Sequence, residues 1–293
     1  MFPKTTIKFY IRSLKFTILI NKIIIGIAFS PNLKANLLEA IRLANMFKAE
    51  LIGVHVGEKS IQKENQLKKL LFEAPKLLKG FTTIWQEGEP VDVILSTTTQ
   101  QQADLLILGA LQKENIYKYY VGSIARKLTR KSPCSVLLLI KPSTERVPCK
   151  HIVVNGLQDE DTEETIKTAF TISKNLDCKR VTIVEEISQN ELNVTVSDDK
   201  TLLKATEVKE QLKNREDLRV KNILKTIDIK DINVKTQSIF GRRGYSIGHY
   251  AKVKRADLLI MNAPKKTGIL HRIFPHDIEY ILSELPTDVL IVK

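Results

Sequence analysis

The sequence predicts an α/β protein made of two tandem copies of one unit, each an open, mostly parallel five-stranded sheet with helices on both faces. Three observations predict it. Residues 104–139 align onto 257–292 without a gap, so the closing part of the pattern occurs twice. Apolar, β-branched runs alternate with segments of helical periodicity, the order that a parallel sheet with crossover helices produces. Composition is 43% hydrophobic and 27% charged, which leaves enough apolar side chains for a core in each copy.

The elements follow in order. Lys22-Ile23-Ile24-Ile25-Gly26-Ile27-Ala28-Phe29 is a buried strand that ends in the turn residues Ser30, Pro31 and Asn32. Leu37, Leu38, Ile41, Ala44 and Phe47 recur at helical spacing, and 50–56 reads as the next strand. A charged amphipathic helix at 61–72, a strand at 81–86, a helix at 91–101 and a strand at 105–108 follow. A helix at about 122–130 and a strand at 135–140 complete the first copy. The second repeats the order: strand 151–155, helix 163–175, strand 180–185, strand 234–240, helix 246–254, strand 258–261, helix 276–285 and strand 289–292. Between its second and third strands stands a charged insert, about 188–231, whose later part is helical in pattern. The resulting layout is an N-terminal extension at 1–21, a first domain at 22–141, a linker at 142–148 bracketed by Pro142 and Pro148, and a second domain at 149–293.

Net charge is +13, and it is uneven: +11 over residues 1–146 against +2 over 147–293. The basic residues are scattered along helices without interleaved aromatics or a nucleic-acid motif, so they read as solvated faces and no specific nucleic-acid partner is expected. Cys134, Cys149 and Cys178 form no C-x-x-C, which fits a reducing, cytoplasmic location, and Cys134 and Cys178 adjoin apolar strands as small hydrophobes. The extension carries Lys4, Lys8, Arg12 and Lys15 and a short apolar run broken by Asn21 and Lys22. Signal peptide, basic membrane-surface anchor and dispensable extension are the readings, and the last is preferred because the first repeat is complete without it. No run is long enough for a transmembrane helix.

Ligands of open α/β sheets sit beyond the carboxyl ends of the strands, where a glycine turn into a helix N-terminus can cradle phosphate. Gly109 after the fourth strand and Gly122-Ser123 at a helix start have that arrangement, although Gly-Ser at a helix start is first of all an N-cap. Together with Val54-His55-Val56, the pattern Gly109-x2-Gln112-x9-Gly122-Ser123, then Ile124-Ala125-Arg126-Lys127-Leu128 and Ser132-Pro133-Cys134-Ser135-Val136, resembles the universal stress protein family. The resemblance implies flavodoxin-like, adenine-nucleotide-hydrolase-like domains, here as a tandem whose copies pair as a pseudo-dimer within one chain. Family members divide into ATP binders and non-binders. It makes Gly109, Gly122, Ser123 and Val56 the candidate nucleotide-binding residues, with Val56 near the base. Ala28 stands where the family usually has an acid and Gln112 where it has the middle glycine, so the cradle is partial.

In the second copy the glycine positions read Asn262, Lys265 and Pro275, the serine position His276, the acidic position Gly156 and the Val56 position Glu186. The pattern is lost there. A basic stretch with Lys265 near Arg242 and Arg243 raises an anion-site hypothesis against a solvated loop. Catalytic residues are not expected: Ser123 lacks a partner His or acid at a suggestive spacing, and His55 reads as a strand-end residue rather than a base. His271, His276 and Asp277 make no metal motif. The expected cofactor is none, or ATP or AMP in the first copy. The expected role is a non-catalytic binding or regulatory protein in a stress response, with a nucleotide-binding protein or a regulator docked on a membrane transporter as alternatives. The apolar run 136–140 would be a hazardous free edge in an isolated copy, so it is expected to pair with 289–292 within the chain; a homodimer and an unknown protein partner stay open.

Overall fold

The computed structural model describes residues 20–112, 119–120, 122–140, 142–192, 197–263 and 277–293. The extension up to residue 19 and the stretch 264–276, with Lys265, His271, Pro275 and His276, lie outside the described residues.

Ile23, Ile24 and Ile25 are essentially fully buried, as expected of a β-branched run covered on both faces of a parallel sheet. They form β1 (Lys22–Gly26), followed by α1 (Leu33–Phe47), β2 (Glu50–Val56), α2 (Ile61–Glu73), β3 (Phe81–Gln86), α3 (Pro90–Gln100) and β4 (Leu105–Gly109). A short antiparallel pair, β5 (Leu111–Gln112) and β6 (Tyr119–Tyr120), was not expected from sequence. Then come α4 (Ser123–Lys131) and β7 (Ser135–Leu139). The second copy runs β8 (Ile152–Asn155), α5 (Thr162–Asn175), β9 (Arg180–Ser188), α6 (Asp199–Leu224), β10 (Asn233–Gly241), α7 (Tyr245–Val253), β11 (Leu258–Asn262), α8 (Asp277–Ser283) and β12 (Asp288–Val292). The helical insert is the 26-residue α6, started by a capping box in which Asp198 accepts from Thr201 N at 2.8 Å.

Each copy closes its sheet with the same device. Asp104 Oδ2 accepts the backbone N–H groups of Asn21 and Lys22 at 2.8 and 3.0 Å, and Asp257 Oδ2 accepts those of Lys150 and His151 at 2.7 and 2.9 Å. A carboxylate on the otherwise unpaired start of a strand satisfies donors that the ladder leaves over.

The two sheets are one. Strand order is β10-β9-β8-β11-β12-β7-β4-β1-β2-β3, parallel throughout except where β12 meets β7 antiparallel. Leu290 pairs with Leu137, its own counterpart in the tandem, while Val289 pairs with Leu138 and Ile291 with Val136. A pseudo-two-fold axis therefore passes between Leu137 and Leu290. Its reciprocity extends outward: Ile140 N donates to Asp288 Oδ1 at 2.8 Å, and the matching Lys293 N donates to Ser135 Oγ at 3.2 Å. Val136, Leu138, Val289 and Ile291 are buried to within 1% of full burial, worth about 1.5–3 kcal/mol each. The expected in-chain edge pairing is present, and both apolar clusters continue across it.

Chemistry also distinguishes the copies here. Arg126 Nη1 lies 3.3 Å from Glu279 Oε2 and donates from Nη2 to the Leu282 carbonyl at 3.1 Å, and Arg130 Nε donates to Glu279 Oε1 at 2.7 Å. Arg126 and Glu279 occupy matching tandem positions, 153 residues apart. Two first copies facing each other would set Arg126 against Arg126, so charge favours the in-chain partner.

Candidate functional site

The carboxyl ends of β1, β2 and β4 lie side by side in the sheet, and α4 starts at the same edge before running back to β7. Topology thus brings Val56, Gly109, Gly122 and Ser123 to one edge of the first copy, where Ala28 is exposed. Gly122 is the N-cap of α4 in extended conformation, so the N-cap residue supplies no capping side chain, and the first turn of the helix holds no acid. Ser123 is exposed. Unpaired N–H groups at such a helix start favour an anion.

Gly109 has a structural requirement of its own. A Cβ there would come within 2.5 Å of Asn36 Nδ2 on α1. Asn36 Oδ1 is buried with no hydrogen-bond partner among the described residues. Gln112, in place of a glycine, sits in extended backbone paired with Tyr119. The φ > 0 conformation that a glycine offers there is not used.

His55 is buried and donates from Nδ1 to the Ile27 carbonyl at 3.0 Å; a carbonyl only accepts, so the ring proton is on Nδ1. Its Nε2 lies 3.4 Å from Lys63 Nζ. Its ring packs edge-on against Phe29 and Trp85, with centroids 4.9 and 5.0 Å away. His55 thus lies enclosed near the end of β2.

The second copy fills the matching edge with its own side chains. Backbone bonding corrects one sequence correspondence: Gly156 N donates to Val184 O as Ile27 N donates to Val54 O, so Gly156 matches Ile27 and Leu157 matches Ala28. The Gly156 carbonyl is capped by Arg219 Nη2 from α6. Arg219 Nε in turn donates at 2.9 Å to Glu216, which is buried and also accepts from Arg215. Glu186, the Val56 counterpart, is buried with its carboxylate on the start of α7, accepting from Gly244 N at 2.7 Å and Ile247 N at 3.1 Å. Gly244 takes φ +77°, a left-handed conformation suited to glycine. In the first copy α3 opens on Pro90, which brings no N–H of its own, and the apolar Val56 stands where Glu186 does. What remains between Glu186, Glu216 and Arg243 is a cavity of about 20 Å³. Glu185, next to Glu186, has its carboxyl pushed above the usual range by burial, with Ser238 Oγ donating to it at 2.7 Å.

Sequence reasoning placed Glu186 at the Val56 position but not its role, and it missed Glu185, Glu216 and Arg219. Two adjacent carboxylates inside an apolar strand were a legible signal for Glu185 and Glu186, whereas Arg219 carries none until α6 folds back. The anion site loses one of its members: Arg242 stacks on Tyr280 at 4.3 Å and hydrogen-bonds its hydroxyl, so that guanidinium is engaged within the fold. Lys265 lies outside the described residues. Among the described residues no group of three His, Cys, Asp or Glu side chains could hold a metal, and no helix is long and apolar enough to cross a membrane.

Two pseudo-symmetric copies of an open parallel sheet, joined edge to edge through β7 and β12, define a tandem α/β protein. The chain belongs to the universal stress protein family, whose model matches residues 20–139 and 150–293. It is 26% identical over 125 residues to a universal stress protein of Methanocaldococcus jannaschii, covering 36% of this chain and 74% of that one. It is 25% identical over 145 residues to a universal stress protein of Bacillus subtilis, covering 41% and 98%. Its fold matches a universal stress protein from Archaeoglobus fulgidus with a TM-score of 0.61 at 15% identity, over 94% of this chain and 98% of that chain. A functionally unknown protein from Pseudomonas aeruginosa matches at 0.66, also at 15% identity, over 94% of both.

Proposed function

We propose that this is a non-catalytic, cytoplasmic binding or regulatory protein of a stress response, in which any nucleotide position is confined to the first copy and is degraded there. The observation that carries the reading is the self-filled edge of the second copy, with Arg219 on the Gly156 carbonyl and Glu186 on α7. In the first copy Gly109, Gly122, Ser123 and Val56 keep their places. Ala28 offers no carboxylate, and Gln112, in place of a glycine, is paired with Tyr119 in extended backbone.

A second reading, ATP or AMP binding by the first copy, is favoured by the uncapped start of α4. Calorimetric titration of the full-length protein with Mg-ATP and AMP, beside Gln112→Gly, separates the two. No binding by the native chain with recovery in the variant is the expected outcome. Binding by the native chain at a stoichiometry near one would instead make the first copy a working site. For docking on a membrane transporter, co-sedimentation with anionic vesicles, compared with a chain starting at Asn21, tests the contribution of the basic extension.

A further inference from the structure

Cys149 follows the linker directly and Cys178 lies in the turn between α5 and β9, yet the parallel register of β8 on β9 sets them side by side. Ile152 pairs with Val181, and three residues back along each chain stand Cys149 and Cys178. Neighbouring strands lie about 4.8 Å apart, within the Cα separation of about 4.4–6.8 Å that a disulfide spans. Both backbones are pinned. His151 N donates to Asp257 at 2.9 Å and its Nε2 lies 2.9 Å from Thr182 Oγ1. Cys178 N donates to the Ser173 carbonyl at 2.8 Å, and its own carbonyl accepts from Ser173 Oγ at 2.6 Å.

Both thiols belong to one apolar cluster, with Cys149 packed against the buried core that holds Cys178. Cys178 is 1% exposed, whereas Cys149 is only half-buried. Cys149 lines a cavity of about 480 Å³ between the copies, together with Val147, Pro148 and Leu176. A small oxidant therefore has a route to the pair. Cys134 differs: it packs in the other cluster against Ser132, and burial pushes its thiol up.

We propose that Cys149 and Cys178 form a dithiol site that hydrogen peroxide oxidises to an intramolecular disulfide, tying the residue that follows the linker to the turn before β9. The thiolate of the pair attacks one peroxide oxygen, the O–O bond breaks, and the departing hydroxide takes up a proton as water, leaving a sulfenic acid. The second sulfur gives up its proton and attacks the sulfenic sulfur; the S–S bond forms and the sulfenic oxygen leaves as water. Two thiols and one peroxide thus give one disulfide and two waters. Contact with Cys149 holds the Cys178 thiol down to about 7, while contact with Cys178 and burial push the Cys149 thiol up, so the pair gives up one proton readily and keeps the other.

The test is treatment of the reduced full-length protein with hydrogen peroxide, alkylation of remaining thiols, and peptide mapping without reductant. The expected result is loss of two hydrogens from the intact mass, a Cys149–Cys178 linked peptide pair, alkylated Cys134, and a rate that rises with pH through about 7. Cys134→Ser should leave the link intact, and Cys149→Ser or Cys178→Ser should abolish it. The map of the native chain needs no variant to fold. A link between chains, a link to Cys134, over-oxidation without a disulfide, or both thiols still free while Cys134 is consumed would each overturn the assignment.

Discussion

The carbonyls of Ile27 in the first copy and Gly156 in the second stand at the same place in the fold and are satisfied by different means. His55, in the neighbouring strand, donates to the first. Its counterpart in the second copy is Glu185, which has no such donor when ionised, and Arg219 arrives from α6 instead. The same exchange occurs one residue on, where Val56 beside a proline-started helix becomes Glu186 beside a helix with open N–H groups. Both carbonyls find a donor, in keeping with the cost of orphaned polar atoms. The second copy meets that requirement with side chains that occupy the ligand edge, while the first leaves Ser123 and the α4 start exposed. The difference between the two edges follows from how each copy satisfies its own backbone.

The comparison presupposes one body, and the largest expected effect comes from breaking it. Leu138→Asp sets a charge among fully buried side chains where β7 meets β12, and should cost at least about 4 kcal/mol. Urea unfolding with size-exclusion chromatography should give a lower midpoint and association or precipitation; an unchanged midpoint would mean the copies are independent. Next in size is Glu186→Ala, which strands two helix-start N–H groups and should cost about 2–4 kcal/mol. Val56→Ala at the matching position should cost only about 1 kcal/mol. Equal losses in chemical denaturation would erase the distinction drawn between the two helix starts. Third, His55→Ala and Arg219→Ala each uncover the matched carbonyl and should each cost about 1–3 kcal/mol, adding in the double variant because they belong to separate copies. Strong non-additivity would show that the two edges communicate.

Much of this architecture was legible in sequence because it rests on periodicity. The run at 81–86 is rich in β-branched and aromatic residues and that at 105–108 is apolar, and they became β3 and β4. The gap-free tandem also located the β7–β12 pairing, since an apolar edge strand needs a partner. The candidate edge was legible only where residue type alone carries meaning: Gly122-Ser123 at a helix start could be read, but the close approach of Asn36 to Gly109 could not, because it depends on how α1 lies on the sheet. The offset that set Gly156 against Ala28 is one residue, too fine for two diverged strands to reveal without their hydrogen bonds. The β5–β6 pair was missed because two-residue strands carry no period. Arg219 is one of many surface-type residues on a charged helix, and only the fold-back of α6 distinguishes it.

The smallest expected effect isolates the residue on which the divergence turns. Burial raises the Glu185 carboxyl above its ordinary value, against the smaller opposing effect of the Ser238 hydroxyl, and Glu185 Oε1 has no partner among the described residues. A carboxyl whose folded value is raised contributes stability that is complete below its unfolded value and is lost as pH rises through the folded one. Glu185→Gln keeps the shape, removes the charge and can donate from its amide. The variant should therefore be more stable than the native chain by roughly 1 kcal/mol at pH 7, with the difference closing near pH 4, where both carry a neutral side chain. Urea midpoints measured across that range decide it. A constant difference would mean that the carboxylate stays solvated and that Arg219 replaced His55 for some reason other than the loss of a donor at position 185.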